Sequence, residues 1–501
     1  MRLNRKEFLQ VTAVSLAAGV RLSAQDATPA RAKKEVRGNA IKGTTDAVRT
    51  FIGSATLRQM PANVVSEGKR CLIDNIGVLL AGSTAEGSKI LREYAQKSNA
   101  TKEATVLGRN AVMVPAAYAA LANAGSAHAL DYDDTQLSTT PDRTFGLLTH
   151  PTTPALSAAL AVAERTGASG SAFLEAYLVG VEVECKMAEA IDPNHYERGF
   201  HSTGTFGVFG AAAAAGKLMK LNPTQLGHML AIAASLSAGI RVNFGSMSKP
   251  LNAARASENG VFAAELALHG FTGGENGLDG QWGFFQVLGD GADLDRIVGK
   301  LGQTWSIVNP GVSFKPYPCG SLSHPSMDAM MKVVKDHDLK PDQIKAVRLR
   351  AGNNILEPLR YGVARNELEA KFSVPFLMSA VILTRRAGMR EFTDEFVQTP
   401  AAQAMMQRVT AVRDADIEKQ GFDKIRSVVE VDLVDGRKLV QPSDDRYRGG
   451  PDNPFTRADL KAKFDDCAGL VLPQHRLDAA FSAIESVDSM SDVRQLVKAL
   501  V

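Results

Sequence analysis

Asn123-Ala-Gly-Ser-Ala-His128-Ala-Leu-Asp131-Tyr-Asp133-Asp134-Thr135, followed by His150-Pro-Thr-Thr-Pro154, is the stretch on which the reading of this chain turns. The alanine-rich run from Pro115 to Leu121 reads as helix and feeds directly into it. Three carboxylates then fall within four residues, with histidines on both sides. Asp131 and Asp134 are one helical turn apart, a spacing that places both on one face of a helix. Crowded carboxylates raise one another's pKa and are a common source of general acids and bases. A polar helix end or an acidic loop would show the same letters, so the weight has to come from the rest of the chain.

Outward from that stretch the pattern is helical from Asp46 to about Leu301. Val64, Val65, Leu72, Ile73, Ile76, Leu79 and Leu80 recur at three- and four-residue spacing, and Gly82 stands where a C-cap would. Further helices are expected over Pro154–Ala163, Ser171–Ala190, Phe206–Met219, Pro223–Ser237 and Leu251–Leu268. Strands and helices do not alternate here, so no parallel sheet is expected in this part. The pattern changes afterwards. Ile344–Ala351 alternates in part, and Ser427–Leu433 and Lys438–Gln441 read as strands joined through Asp435-Gly436, a strong hairpin signal. Helices over His324–His337 and Ser373–Arg385 lie between them. After Pro451-Asp-Asn-Pro454 the chain is helical again, with Thr456 as an N-cap and a last helix carrying Val493, Leu496, Val497 and Leu500 inward. These closing helices either form a third piece or return to the first domain and leave the α+β unit inserted.

A chain of 501 residues calls for two or three domains. Hydrophobic residues at 45% and charged residues at 22% are an ordinary globular balance. The formal charge of +3, without a basic stripe interleaved with aromatics, argues against nucleic acid as a partner. Cys71, Cys185, Cys319 and Cys467 are far apart, which argues against an iron–sulfur cluster or a zinc knuckle. At the N-terminus, Arg2, Arg5 and Lys6 precede the short apolar run Val11–Val20, too short to span a bilayer. Asn4-Arg5-Lys6-Glu7-Phe8-Leu9-Gln10 looks like a twin-arginine export signal with Lys in place of the second Arg. Residues 1–24 are therefore read as an export signal to the periplasm and 25–45 as a linker; the alternative is a polar tail on a cytoplasmic protein. No membrane association is expected once the signal is removed.

The chemistry shows as a repeated junction. His150, His201, Lys249, Lys315 and His324 each stand at or just before an expected helix start, four of them followed directly by proline. Free backbone N–H groups and the positive dipole end point outward there, which suits anions. Any one junction is ordinary capping; five beside an acidic triplet point to a multiply charged carboxylate ligand. Gly204-x-x-Gly207-x-x-Gly210 is not a dinucleotide fingerprint and follows no strand. Neither a Walker sequence nor a Gly-x-Ser-x-Gly elbow is present. The histidines lack metal-ligand spacing, so a metal site would require convergence in three dimensions.

Ala127-His-Ala-Leu-Asp131-Tyr-Asp-Asp-Thr135, Thr149-His150-Pro, Gly199-Phe-His201-Ser-Thr-Gly-Thr205, Lys249-Pro-Leu-Asn-Ala-Ala-Arg255, Phe314-Lys315-Pro-Tyr-Pro-Cys319-Gly and Ala370-Lys-Phe-Ser373 together resemble the MmgE/PrpD family. That family includes 2-methylcitrate dehydratase, cis-aconitate decarboxylase and iminodisuccinate epimerase. The resemblance follows the family's motif order over nearly everything after residue 46. It implies a mostly α fold: a helical domain of residues 46–311 and 455–501, with an inserted, smaller α+β lid domain of residues 312–454. It implies a homodimer and a site between the domains that needs no metal and no cofactor. Matched motif by motif, Asp131, Thr135, His150, His201, Lys249 and Lys315 would line that site, with His324 nearby and Ser202 and Thr203 as further candidate substrate contacts. Two departures stand out. The 136–148 loop looks longer than in decarboxylase-like members. Gly320 stands where those members place a second lid histidine, and Phe376 where they have a tyrosine.

The expected function is a lyase acting on a small di- or tricarboxylic acid by removing a proton beside a carboxylate. Lys249 and Lys315 would hold the acid and stabilise the enediolate. His201 or His150 would be the base, and the other, or Asp131 with a raised pKa, would protonate a leaving hydroxyl. Dehydration of the 2-methylcitrate type comes first, with cis-aconitate-type decarboxylation or epimerisation as alternatives. Two rivals need no base: a periplasmic polycarboxylate-binding protein and a catalytically inert paralogue.

Overall fold

The computed structural model describes residues 43–98, 101–137, 149–289, 291–421 and 423–501. The export signal, all but the last three residues of the linker, and most of the 136–148 loop lie outside the described residues. No helix among those described is long and apolar enough to cross a membrane.

The protein is mostly helical with a small α+β portion. The longer helices before residue 270 are α1 (Thr44–Ser54), α2 (Ala62–Gly82), α3 (Glu86–Gln96), α4 (Ala116–Ala129), α5 (Thr152–Thr166), α6 (Gly170–Ile191), α7 (Ser202–Leu218), α8 (Pro223–Leu236) and α9 (Ser248–Leu268). Their starts follow local chemistry. Ser169 caps α6 through Ala172 N–H, and Asn222 with Gln225 forms a capping box ahead of Pro223 at α8. The glycines of α7 have a packing use. A Cβ at Gly207 would come within 2.5 Å of Pro154, and one at Gly204 within 2.6 Å of the Ala238 carbonyl. Glycine at these positions lets α7 lie close against α5 and the chain after α8. Gly82 is likewise not a C-cap but the last residue of α2, where a Cβ would lie 1.9 Å from the Ser126 carbonyl of α4.

One element escapes the helical reading: a hairpin of β1 (Ala104–Val106) and β2 (Val112–Val114), three residues each. Strands this short carry no usable alternation. The α+β part contains α10 (His324–Asp336), β3 (Ile344–Ala351), α11 (Val374–Thr384), α12 (Pro400–Met406), β4 (Val409–Arg413), β5 (Ser427–Leu433) and β6 (Lys438–Pro442). Its sheet order is β4-β3-β5-β6, with β3 and β4 parallel and the other pairs antiparallel. Gly436 sits at φ 89° in the β5–β6 turn, as the Asp-Gly signal requires. β4 was not expected: four of its five residues are exposed, so it lacks alternation. The chain closes with α13 (Arg457–Ala468), α14 (Gln474–Glu485) and α15 (Arg494–Leu500).

Buried side chains form two main clusters. One joins Leu72, Leu156, Phe209 and Phe314 to Leu460, Phe464, Ile484 and Leu496. The other joins Tyr317, Met327, Val347, Phe376 and Val429 to Tyr447, and reaches back to Tyr196 and Phe244. The change of cluster falls between Phe314 and Tyr317 and again between Tyr447 and Phe455. Lys315 lies at the first of these changes.

Candidate active site

Helix α4 ends at Ala129, and the chain leaves it through Asp131, whose φ of 51° is left-handed. Aspartate tolerates this conformation better than most residues. Asp131 and Asp134 therefore do not share a helix face as their spacing suggested. Asp134 accepts from Thr152 Oγ1 at 2.7 Å, while Asp131 meets the lysines. Two backbone pairings then fix the next residues: Thr135 exchanges hydrogen bonds with Ser313 at 2.9 and 2.8 Å, and Gln136 N–H donates to Thr149 at 2.8 Å. These clamps bring residues 131–136, His150 and Lys315 together from three distant parts of the chain.

His150 precedes α5, His201 is the residue before α7, and Lys249 lies in the first turn of α9. His324 opens α10, but Lys315-Pro316 opens no helix; the chain bends there. Of the five junctions, four are helix starts. Asp131, Thr135, His150, His201, Lys249 and Lys315 line one cavity of about 40 Å³. Its remaining wall includes Tyr196, Phe244, Gly320, Ser321, Leu322, Leu359 and Phe372. Three expected residues stand back from it. Ser202 Oγ donates to Asp192 at 2.8 Å, Thr203 Oγ1 accepts from His150 N–H at 3.1 Å, and His324 lies between Tyr447 Oη at 2.5 Å and the Cys319 carbonyl at 3.2 Å. Thr203 thus supports His150, which reaches the cavity, while the partners of His324 do not line it. Phe376 lies in the second core against Phe392 and Phe396, away from the cavity.

Lys249 Nζ donates to Asp131 Oδ1 at 2.8 Å and Lys315 Nζ to the same oxygen at 2.6 Å. Lys315 also reaches the Asp131 and Cys319 carbonyls at 2.8 and 3.1 Å. Burial works to raise the Asp131 pKa, but Lys249 and Lys315 overcome it and hold the carboxyl well below its ordinary range. Asp131 is thus an ionised anchor, and the expectation that it could act as a protonated acid is corrected by the two ammonium groups upon it. Burial lowers the Lys249 pKa, with Asp131 opposing and Lys315 assisting.

Histidines surround this pair. Burial lowers the pKa of His150, while Asp133 opposes; its Nδ1 approaches Asp133 Oδ2 at 3.4 Å without an aligned hydrogen bond. Burial, then Lys249, push His201 well below its ordinary value. Asn252 Nδ2 lies 3.1 Å from His201 Nδ1 and orients that ring. An amide Nδ2 can only donate, so His201 Nδ1 accepts there and the ring proton sits on Nε2. His128 and Asp133, behind the cavity, were in the quoted stretch but not named as site residues. Asn252 belongs to the Lys249–Arg255 motif and was also passed over, because a single amide carries no spacing signal.

His128, Asp131, Asp133 and His150 bring nitrogen and oxygen atoms within 4.8 Å of one another, a set that a metal ion also uses. The donor chemistry fits lysine better. Asp131 Oδ1 carries two ammonium groups, and Asp133 accepts from the His128 ring and from Thr153 Oγ1 at 2.7 Å. A divalent ion here would sit against two positive charges and displace those bonds.

The three histidines make the fold sensitive to acid. Burial is the first cause in each, taking His128 to about 4 and lowering His150 and His201. A histidine whose folded pKa lies below its unfolded value binds fewer protons when folded, so stability is lost as pH falls below the unfolded value. Asp131 and Asp133, also held low, act in the same direction at still lower pH. The Tm should therefore fall as pH is lowered from about 7 to about 4, with His128 alone accounting for roughly 3 kcal/mol. A Tm that is flat across that interval would contradict neutral buried histidines.

Comparisons with known proteins place the chain in a family. Residues 46–297 match the MmgE/PrpD N-terminal domain and residues 317–488 the MmgE/PrpD C-terminal domain. Among similar proteins, cis-aconitate decarboxylase of Homo sapiens is 26% identical over 471 residues, covering 92% of this chain and 95% of that protein. Cis-aconitate decarboxylase of Mus musculus is 25% identical over 474 residues, covering 92% and 94%. Cis-aconitate decarboxylase of Aspergillus terreus is 21% identical over 489 residues, covering 93% and 98%.

Proposed function

This chain belongs to the MmgE/PrpD family, and on that premise we propose that it is a metal-independent lyase for a small di- or tricarboxylic acid. The observation that carries the reading is the meeting of two ammonium groups at one ionised carboxylate, beside two neutral histidines, in one small cavity. An incoming carboxylate takes the N–H that Lys249 leaves free, while Lys315, whose three N–H groups go to Asp131 and the Cys319 carbonyl, contributes its charge. Their charge then stabilises the electron pair that collects beside the remaining carboxylate.

Decarboxylation of a cis-aconitate-like acid is the favoured reaction, because relatives covering 92% of the chain carry that name. The bond to the departing carboxylate breaks, CO2 leaves, and the pair stays on carbon, delocalised towards the neighbouring carboxylate. His201 or His150, raised to imidazolium by the negative charge of the bound acid, supplies the proton that ends the step. The sequence put dehydration first, and the named relatives reverse that order. Dehydration stays as the second reading because Gly320, and not a histidine, stands in the cavity wall. In it, a histidine takes the proton beside the carboxylate, and the hydroxyl leaves as water with a proton from the other histidine.

A cavity of about 40 Å³ has room for water, not for a six-carbon acid. Entry then requires the Gly320–Leu322 and Leu359–Phe372 wall to swing away from the lysines and close again, as lids commonly do. A homodimer and export through the twin-arginine-like N-terminus complete the proposal.

The test is turnover of citrate, methylcitrate, cis-aconitate, malate, tartrate and iminodisuccinate by chelator-treated protein. Saturable conversion of at least one acid, unchanged by EDTA, is the expected result. Ligand-induced stabilisation without turnover of any acid would favour a binding protein, and loss of activity on chelation would overturn metal independence.

A further inference from the structure

The mechanism above leaves one buried pair unused. His128 does not line the cavity, yet its ring is fully enclosed. Its Nδ1 lies 3.0 and 2.9 Å from the two oxygens of Asp133. Its Nε2 lies 2.9 Å from Lys249 Nζ. Asp133 also accepts from Thr153 Oγ1 at 2.7 Å. An ionised carboxylate can only accept, so His128 Nδ1 carries the proton and Nε2 presents its lone pair to Lys249. An ammonium group has three N–H donors. Lys249 gives one to His128 and one to Asp131, which leaves one for the cavity that it lines.

We propose that His128, its tautomer set by Asp133, is the positioning residue that holds Lys249 charged and aimed into the cavity. This inference rests on the lyase reading for its consequence in catalysis but not for its geometry. A carboxylate that fixes one ring nitrogen so that the other meets a cation is a recurrent way of orienting histidine ligands. Here the cation is an ammonium. A neutral imidazole suits the place, because it accepts a hydrogen bond without cancelling the charge that the substrate needs. Asp131 alone could not do this, since its one engaged oxygen is shared with Lys315.

The charged and titratable groups facing Lys249 are Asp131, Lys315, Asp133, His128, His150 and His201. Burial and Lys315 push Lys249 towards the neutral amine, while Asp131 and Asp133 oppose them. Loss of the His128 acceptor removes a hydrogen bond to a charged group and pushes Lys249 the same way as burial. Lys249 then loses its proton at lower pH, by about one pH unit.

The decisive measurement is nitrogen NMR of protein labelled in its histidine rings near neutral pH, with His128 assigned by His128→Gln. The expected signature is a protonated Nδ1 and a bare, hydrogen-bonded Nε2, with the Nε2 signal moving to the unbonded position in Lys249→Met. A protonated Nε2, or an Nε2 signal indifferent to Lys249→Met, overturns the assignment whether or not any acid is turned over. In catalysis, assayed with cis-aconitate, His128→Phe should move the alkaline limb of kcat/KM down by about one pH unit. His128→Gln, whose amide oxygen can still accept, should restore most of it. A merely structural His128 would lower the amount of folded enzyme and leave the pH profile in place. An NMR signature as expected with no turnover of any acid would leave this geometry standing and sink the lyase reading instead.

Discussion

Replacing His201 with alanine is expected to lower kcat by about a hundredfold or more, the usual scale for losing a proton-transfer group. Substrate affinity should change much less, because Lys249 and Lys315 carry the anion binding. The ring lines the cavity, stacks 5.5 Å from His128 and is oriented by Asn252. Burial, followed by Lys249, His128 and His150, keeps it neutral, while Asp131 opposes them. As the base of dehydration the ring must be neutral, so that rate should fall as pH drops and the ring is protonated; as the donor that ends decarboxylation it must carry the proton, and that rate should fall as pH rises. A bound carboxylate raises the pH at which this happens, since negative charge favours imidazolium. Rate and binding of His201→Ala and His201→Gln separate this role from simple capping of α7. A variant that turns over at the parent rate with the parent pH profile would remove His201 from the proton path and pass the role to His150.

The second large effect concerns Asp131. Changing it to asparagine leaves Lys249 and Lys315, both nearly fully buried, without the carboxylate that they share. Removing one partner from a buried ion pair costs about 3–5 kcal/mol, because the remaining charge stays buried and uncompensated. Asp131→Asn should therefore lower stability by that amount and abolish activity. Adding Lys315→Met to it removes one of the stranded charges, and the double variant should recover a measurable part of the loss. Denaturant unfolding of the single and double variants checks this. An Asp131→Asn protein as stable as the parent would show that the lysines are neutral or solvated in the folded state.

Much of this arrangement was legible in the residues, and the exceptions have physical causes. The long helices α2, α6, α7 and α9 announced themselves because their apolar positions or small residues recur with helical period over four or more turns. The hairpin of β1 and β2 and the strand β4 did not, being too short or too exposed to alternate. Asp131, Thr135, His150, His201, Lys249 and Lys315 were found through their motifs and do line one cavity. What the letters could not give was direction. Ser202 turns to Asp192, His324 to Tyr447, and Asp131 leaves its helix through a left-handed residue, so the acidic triplet splits three ways. The apolar wall joins Phe244 to Leu359 and Phe372, more than a hundred residues further on, and nothing local marks it. The state of Asp131 was misjudged for the same reason. Neighbouring acids in sequence suggested mutual repulsion and a raised pKa, whereas the neighbours in space are two lysines.

The central claim is that Lys249, Lys315 and the neutral histidines form a site that makes and quenches a carbanion beside a carboxylate. Incubating the parent protein and Lys249→Ala with cis-aconitate in D2O, followed by proton NMR, tests it most directly. Asp131 keeps Lys315 at 2.6 Å when Lys249 is removed, so the variant should stay folded. The expected result is a product from the parent enzyme carrying deuterium at the carbon that lost CO2 or was protonated in its place, and no product from folded Lys249→Ala. Product formed by Lys249→Ala at the parent rate would contradict the account.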